Sequence, residues 1–123
     1  MANEVAITTA ISYTKNNAEP IGRGQGGKIL SQTGAGQIEM SDFSVATSET
    51  TIQLGGLTTL GWAWFRNLDA TNFVNIKTAA SGTIIVKLPA GSSALFHFGS
   101  GVTAPVAIAD TAACLIEYVI LKP

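Results

Sequence analysis

Residues 61–77 read GWAWFRNLDATNFVNIK, and the way this stretch alternates and then reverses decides the fold. Side chains on a strand point to opposite faces with a period of two. Over 62–67 that period places Trp62, Trp64 and Arg66 on one face and Ala63, Phe65 and Asn67 on the other. LDAT then reads as a turn, and NFVNIKT resumes the alternation only imperfectly, at Phe73 and Ile76. The reversal carries its own support: Asn67, Asp69, Thr71 and Asn72 have short polar side chains that bond nearby backbone groups and stabilise a tight turn.

The same texture extends in both directions. Toward the N-terminus, Val5, Ile7, Thr9, Ile11 and Tyr13 alternate with Ala6, Thr8, Ala10 and Ser12, QIEMSDFSVAT loses its alternation near Asp42 as a bulge or a brief break makes it do, and TTIQL reads as a strand. Toward the C-terminus, TIIVKL, ALFHF, VAIAD and CLIEYVIL are strands separated by Gly-, Pro- and Ser-rich turns. No window of helical length repeats apolar positions at the helical spacing without an interrupting Gly, Pro or β-branched cluster. Some eight to ten short strands with frequent turns predict an all-β chain, a single antiparallel domain over 1–123 built as a β-sandwich, jelly roll or barrel. Residues 1–36 stand apart as a strand followed by a Gly-rich arm or hinge.

Composition narrows the functions. Of 123 residues only 15 are charged, 7 basic and 8 acidic, for a net charge of −1, about half the ~25% usual in globular chains. A nucleic-acid partner, which needs a basic patch against phosphate, is therefore not expected. Ala (17), Thr (14), Gly (13) and Ser (9) replace the missing charge, so the surface is weakly protected from self-association and suits an assembled protein. No apolar run long enough to span a bilayer occurs, and the start MANEVAITTAISYT lacks a signal-peptide pattern. Neither a membrane nor a secretory route is expected.

Residues 21–30, IGRGQGGKIL, place Gly22, Gly27 and Lys28 at the spacing of a phosphate-gripping loop. That chemistry needs a Ser or Thr hydroxyl after the lysine for magnesium and a following helix to aim its N-terminus at the anion. Ile29 follows Lys28, and ILSQTGAGQ is not a helix former. The expectation is a flexible Gly22–Gly27 connection and no nucleotide or other cofactor.

Catalytic and metal readings find equally little. His97 is the only histidine, no GxSxG elbow accompanies it, and no ligand spacing joins it to Asp69 or Asp110. Cys114, the only cysteine, sits in an apolar run and reads as a buried thiol. The informative side chains are Trp62, Trp64 and Arg66. Two readings are open: burial in the sandwich core or a subunit interface, and an exposed platform that stacks on sugars or seats in a partner.

GWAWFRNLDATNFVNIK, followed by IIVKLPAGSSALFHF and ADTAACLIEYVILKP, resembles a class of small β-rich virion proteins encoded among the structural genes of tailed bacteriophages. The resemblance spans about residues 49 to 123 and rests on the aromatic strand, the Asn67–Val74 turn and strand, the KLPAG turn and the closing strand. It implies a jelly-roll-like sandwich without enzymatic activity, made in the host cytoplasm and assembled on the virion, as a homotrimer. The capsid surface is the favoured location, as a decoration or cementing protein against the major capsid protein. A glycan- or receptor-binding module of a head fibre, tail or baseplate is the alternative.

Overall fold

The computed structural model describes residues 5–14, 21–30 and 36–123, and among them there are ten β-strands and no helix. The chain divides into two compact units, Met1–Thr33 and Gly34–Pro123, where composition predicted one domain with an arm over 1–36.

In the first unit, β1 (Val5–Tyr13) pairs antiparallel with β2 (Ile21–Leu30), from Val5 opposite Leu30 to Tyr13 opposite Ile21. The Gly22–Gly27 stretch is thus a strand, not the flexible loop or hinge expected from its composition. Its glycines still have a backbone reason. The register slips by one residue between Ile7 and Thr9, a bulge that accommodates the Gly26–Gly27 pair, and a Cβ at Gly24 would meet the Thr9 carbonyl oxygen at 3.0 Å. With Lys28 in a ladder and a strand where a helix is required, no anion-binding loop exists here.

The second unit holds β3 (Gln37–Val45), β4 (Thr50–Thr51), β5 (Trp62–Asn67), β6 (Val74–Lys77), β7 (Ile84–Leu88), β8 (Ser93–His97), β9 (Val106–Ala109) and β10 (Cys114–Leu121). Two four-stranded antiparallel sheets, ordered β3-β10-β5-β8 and β4-β9-β6-β7, pack against each other. The pairs β3–β10, β4–β9, β5–β8 and β6–β7 are nested in sequence, one inside the next. A long antiparallel hairpin rolled so that successive pairs fall alternately into the two sheets gives this order, which is a jelly roll, one of the architectures the turn spacing left open.

Local chemistry sets the details. Tyr118 stands opposite Met40 and Ile116 opposite Phe43, so Ser41 and Asp42 together face Glu117, and Asp42 takes a φ of 54°. The break in alternation at Asp42 is this bulge. Pro89 to Ser92 close the β7–β8 turn through Ser92 N–H to Pro89 C=O at 3.0 Å, and Gly91, with φ of 73°, supplies the conformation that the third position of such a turn demands.

The core follows from the period of two. Ala63, Phe65 and Asn67 of β5 face inward with Cys114, Ile116, Tyr118 and Ile120 of β10, and the other sheet contributes Val74, Ile76, Leu88, Ala107 and Ala109. Phe65 is fully buried between two rings, Tyr118 at 5.2 Å and Phe96 at 5.7 Å between centroids, both nearly parallel to it. The small Ala107 and Ala109 of β9 belong to the same buried core as these aromatics. Replacing Phe65 by Ala should cost about 3–5 kcal/mol of unfolding free energy in urea titration, the range for an emptied aromatic site.

Tyr118 reaches across the core to donate its hydroxyl to the Gln53 carbonyl at 2.6 Å, and burial pushes its phenol from 10.0 up to about 12. A raised folded value favours the protonated phenol, so this contribution to stability is intact below the unfolded value and disappears as pH climbs through the folded one. Wild-type stability should therefore fall between about pH 10 and 12 more steeply than that of Tyr118→Phe, read by denaturant midpoints across that window.

Candidate functional site

The outer face of the β3-β10-β5-β8 sheet gathers the side chains singled out on β5. Trp62, Trp64 and Arg66 all point outward: the indoles are half-buried, and Arg66 is exposed. Ala63 and Phe65 occupy the core side, so of the first reading above, core or subunit interface, the core placement is corrected and the subunit interface remains beside the exposed platform. The physical reason is volume, since Phe65, Phe96 and Tyr118 already fill the space between the sheets.

Registers give the neighbours on this face. Trp64 lies between Leu95 of β8 and Val119 of β10, and Val119 has Glu39 on its far side, making a row Glu39–Val119–Trp64–Leu95 across four strands. One step along, Arg66 lies between Ser93 and Glu117, with a guanidinium–carboxylate distance of 3.5 Å to Glu117. In the other direction Trp62 pairs with His97, ring centroids 5.4 Å apart and edge to face at 76°. Leu121, beside Gln37, and Leu115, 45% exposed, continue the apolar strip along β10.

Sheet faces toward water ordinarily alternate to polar residues. Here six apolar side chains, Trp62, Trp64, Leu95, Leu115, Val119 and Leu121, point out of one sheet, with one ion pair among them. Four of the six were not legible in the sequence. CLIEYVIL is apolar on both parities, so its pattern alone does not say which side is core.

In the Asn67–Asn72 turn the Asn67 and Asp69 side chains bond nearby backbone groups, whereas the Thr71 hydroxyl bonds the Asp69 carboxylate and the Asn72 side chain accepts from Thr111, and Asn67 does more than cap a turn. Its side chain is fully buried; Nδ2 donates to the carbonyls of Asn72 at 2.8 Å and Leu88 at 3.1 Å, and Oδ1 accepts the Asp69 N–H at 2.9 Å. Leu88 belongs to β7, so one amide ties β5 to the opposite sheet. Asp69 accepts the Asn72 N–H at 2.7 Å and the Thr71 N–H at 3.0 Å, and these bonds, Asn72 first, hold its carboxyl below the usual carboxylate range. Thr111 Oγ1 donates to Asn72 Oδ1 at 2.6 Å, linking the β9–β10 connection to the same turn.

The remaining chemical side chains stay apart. His97 faces Trp62 at the start of β5 whereas Asp69 follows its end, so no histidine–carboxylate pair forms between them. The His97 Nδ1 lies 2.7 Å from the Phe98 carbonyl. A cleft of about 240 Å³ beside it is lined by Thr58, Thr59, Leu60, Phe98 and Val102 among others, and no Asp or Glu side chain lines it. Among the described residues no group of three or more His, Cys, Asp or Glu stands together. Cys114 is buried, and desolvation, then the nearby Asp69 and Asp110 charges, pushes its thiol up, away from the reactive thiolate.

No known protein family, curated protein or solved structure matches the chain.

Removing the Asn67 amide leaves buried carbonyls and an N–H without partners, each costing about 1–3 kcal/mol. Asn67→Ala should therefore lower the unfolding free energy by roughly 2–4 kcal/mol in denaturant titration, well beyond the effect of an exposed substitution such as Thr51→Ala.

Proposed function

We propose that this chain is a non-enzymatic virion structural protein of a tailed bacteriophage, a capsid decoration or cementing protein that acts as a homo-oligomer. The observation that carries the reading is the apolar outer face of the β3-β10-β5-β8 sheet, with its two half-buried indoles on a rigid jelly roll. Contiguous apolar patches on a folded surface mark contact sites, and tryptophan is the side chain that most often anchors them. The low charge of the whole chain and the resemblance of residues 49–123 to virion proteins support the same reading.

In this account the protein stabilises a shell by mass action. It binds the assembled major capsid protein surface and not the free subunits, so the intact particle gains free energy without any bond being made. The weak surface charge suits a molecule covered by neighbours on more than one side.

A second reading uses the same indoles as a glycan platform in a fibre or baseplate, and the half-exposure of Trp62 and Trp64 favours it over burial. Phage particles assembled without this chain should release DNA at lower temperature and regain their heat resistance when the purified protein is added back. Unchanged heat resistance, with the added protein left in the supernatant, refutes the cementing role; saturable binding of the free chain to a glycan array, lost in Trp64→Ala, moves the assignment to the second reading.

A further inference from the structure

The outer face just described is nearly its own complement. An interface between identical copies about a two-fold axis places every residue against its symmetry-related counterpart position, so only a self-complementary surface supports one. We propose that the outer face of the β3-β10-β5-β8 sheet is covered by the same face of a second copy of this chain, about a two-fold axis that runs along the strands between β5 and β10. The inference rests on the reading of the chain as a protein that assembles, and names the surface that does so.

The register determines what meets what. Rotation about that axis lays β5 of one copy over β10 of the other and β8 over β3, with heights along the strands preserved. Because Glu117 is level with Arg66 within one sheet, Arg66 of each copy comes over Glu117 of the other, twice. Because Val119 is level with Trp64, each indole comes over a partner valine, twice. Leu95 comes over the stem of Glu39, whose carboxylate lies on the edge strand β3 and reaches water there. Opposite charges therefore meet, and the apolar centre meets itself.

The other in-plane axis, across the strands through the Trp64–Val119 row, fails this test. It lays Arg66 over Trp62 and Glu117 over Leu121, which takes the Arg66–Glu117 ion pair out of water against apolar side chains and brings no opposite charge of the other copy to meet it. Charge complementarity thus selects the axis as well as the occupant.

Size sets the strength. Four strands about 4.8 Å apart and some 20 Å long give a footprint of roughly 400 Å² per copy. Two copies thus bury roughly 800 Å² in total, about half of a standard specific interface and below the ~1,200 Å² at which such interfaces begin. The contact is accordingly a reversible dimer that dissociates on dilution. It joins one patch to the same patch, unlike the threefold association implied by the resemblance, which joins two different patches.

The test uses the full chain alone, with light scattering across a dilution series. The mass should move between the 12.7 kDa of one chain and twice that value. The chain has two tryptophans, both on this face, so their emission should shift to the red in step with dissociation. Arg66→Glu places Glu over Glu117, and Glu117→Arg places Arg over Arg66; each alone should weaken the dimer about tenfold or more. An equimolar mixture of the two variants restores both pairings and should recover the wild-type dissociation constant, while Thr51→Glu, on the other sheet, should leave it unchanged.

A monomer at every concentration overturns the inference and leaves the face to a capsid protein or a glycan. A trimer overturns it, as does a dimer that dissociates without any change in tryptophan emission, or folded charge variants whose mixture shows no recovery. The emission readout needs no substitution, so a variant that fails to fold does not blunt the test. A chain that dimerises in this way yet leaves particles unaltered keeps the inference and removes the virion reading; a monomer that protects particles does the reverse.

Discussion

The buried amide of Asn67 is the constraint on which the rest of the second unit turns. It ends β5, receives the Asp69 N–H that starts the reversal, and donates to Leu88 in the opposite sheet. Its own backbone N–H goes to Ser92 at 2.9 Å, and the next N–H, of Leu68, goes to Leu115 at 2.9 Å. One corner of the sandwich is thereby tied to the β7–β8 turn and to the start of β10. A polar group with no exposure is tolerated here because its bonds are made, and a satisfied buried network specifies one arrangement where apolar packing alone tolerates several.

That corner also determines which face of β5 is outside. With Asn67 inward, the period of two puts Phe65 and Ala63 inward and Trp62, Trp64 and Arg66 outward, with no freedom to slip by one residue. Phe65 then completes a layer of rings with Phe96 and Tyr118, and the tryptophans are left facing away from the core. The outward face and the core are two consequences of a single register.

The nested topology supplies the rest of that face. β10, the last strand, lies between β3, the first of its unit, and β5. A strand in this central position carries apolar residues on both sides: Ile116, Tyr118 and Ile120 toward the core and Leu115, Val119 and Leu121 outward. Gly61 lets the chain end pass close by, since a Cβ there would meet the Pro123 nitrogen at 2.9 Å. The strands that meet in this sheet come from four separate parts of the sequence, so the patch exists only in the folded chain.

By itself the sequence determined what is local. The strands outside the Gly-rich segment, the irregularity at Asp42, the polar turn after Asn67, the burial of Cys114 and the all-β class all rest on periods of two and on the backbone chemistry of a few residues, and these act over short stretches. The Gly22–Gly27 segment was misread because glycine composition reports conformational freedom, and a glycine-containing strand with a bulge uses that freedom as a loop does. Tertiary structure alone decided what is shared between distant segments. It chose which side of the doubly apolar β10 became core, aligned Glu117 with Arg66 and Val119 with Trp64, and kept His97 away from Asp69. Those relations depend on which strands become neighbours when the hairpin rolls up, and pairing across 50 residues or more leaves no periodic trace in either partner.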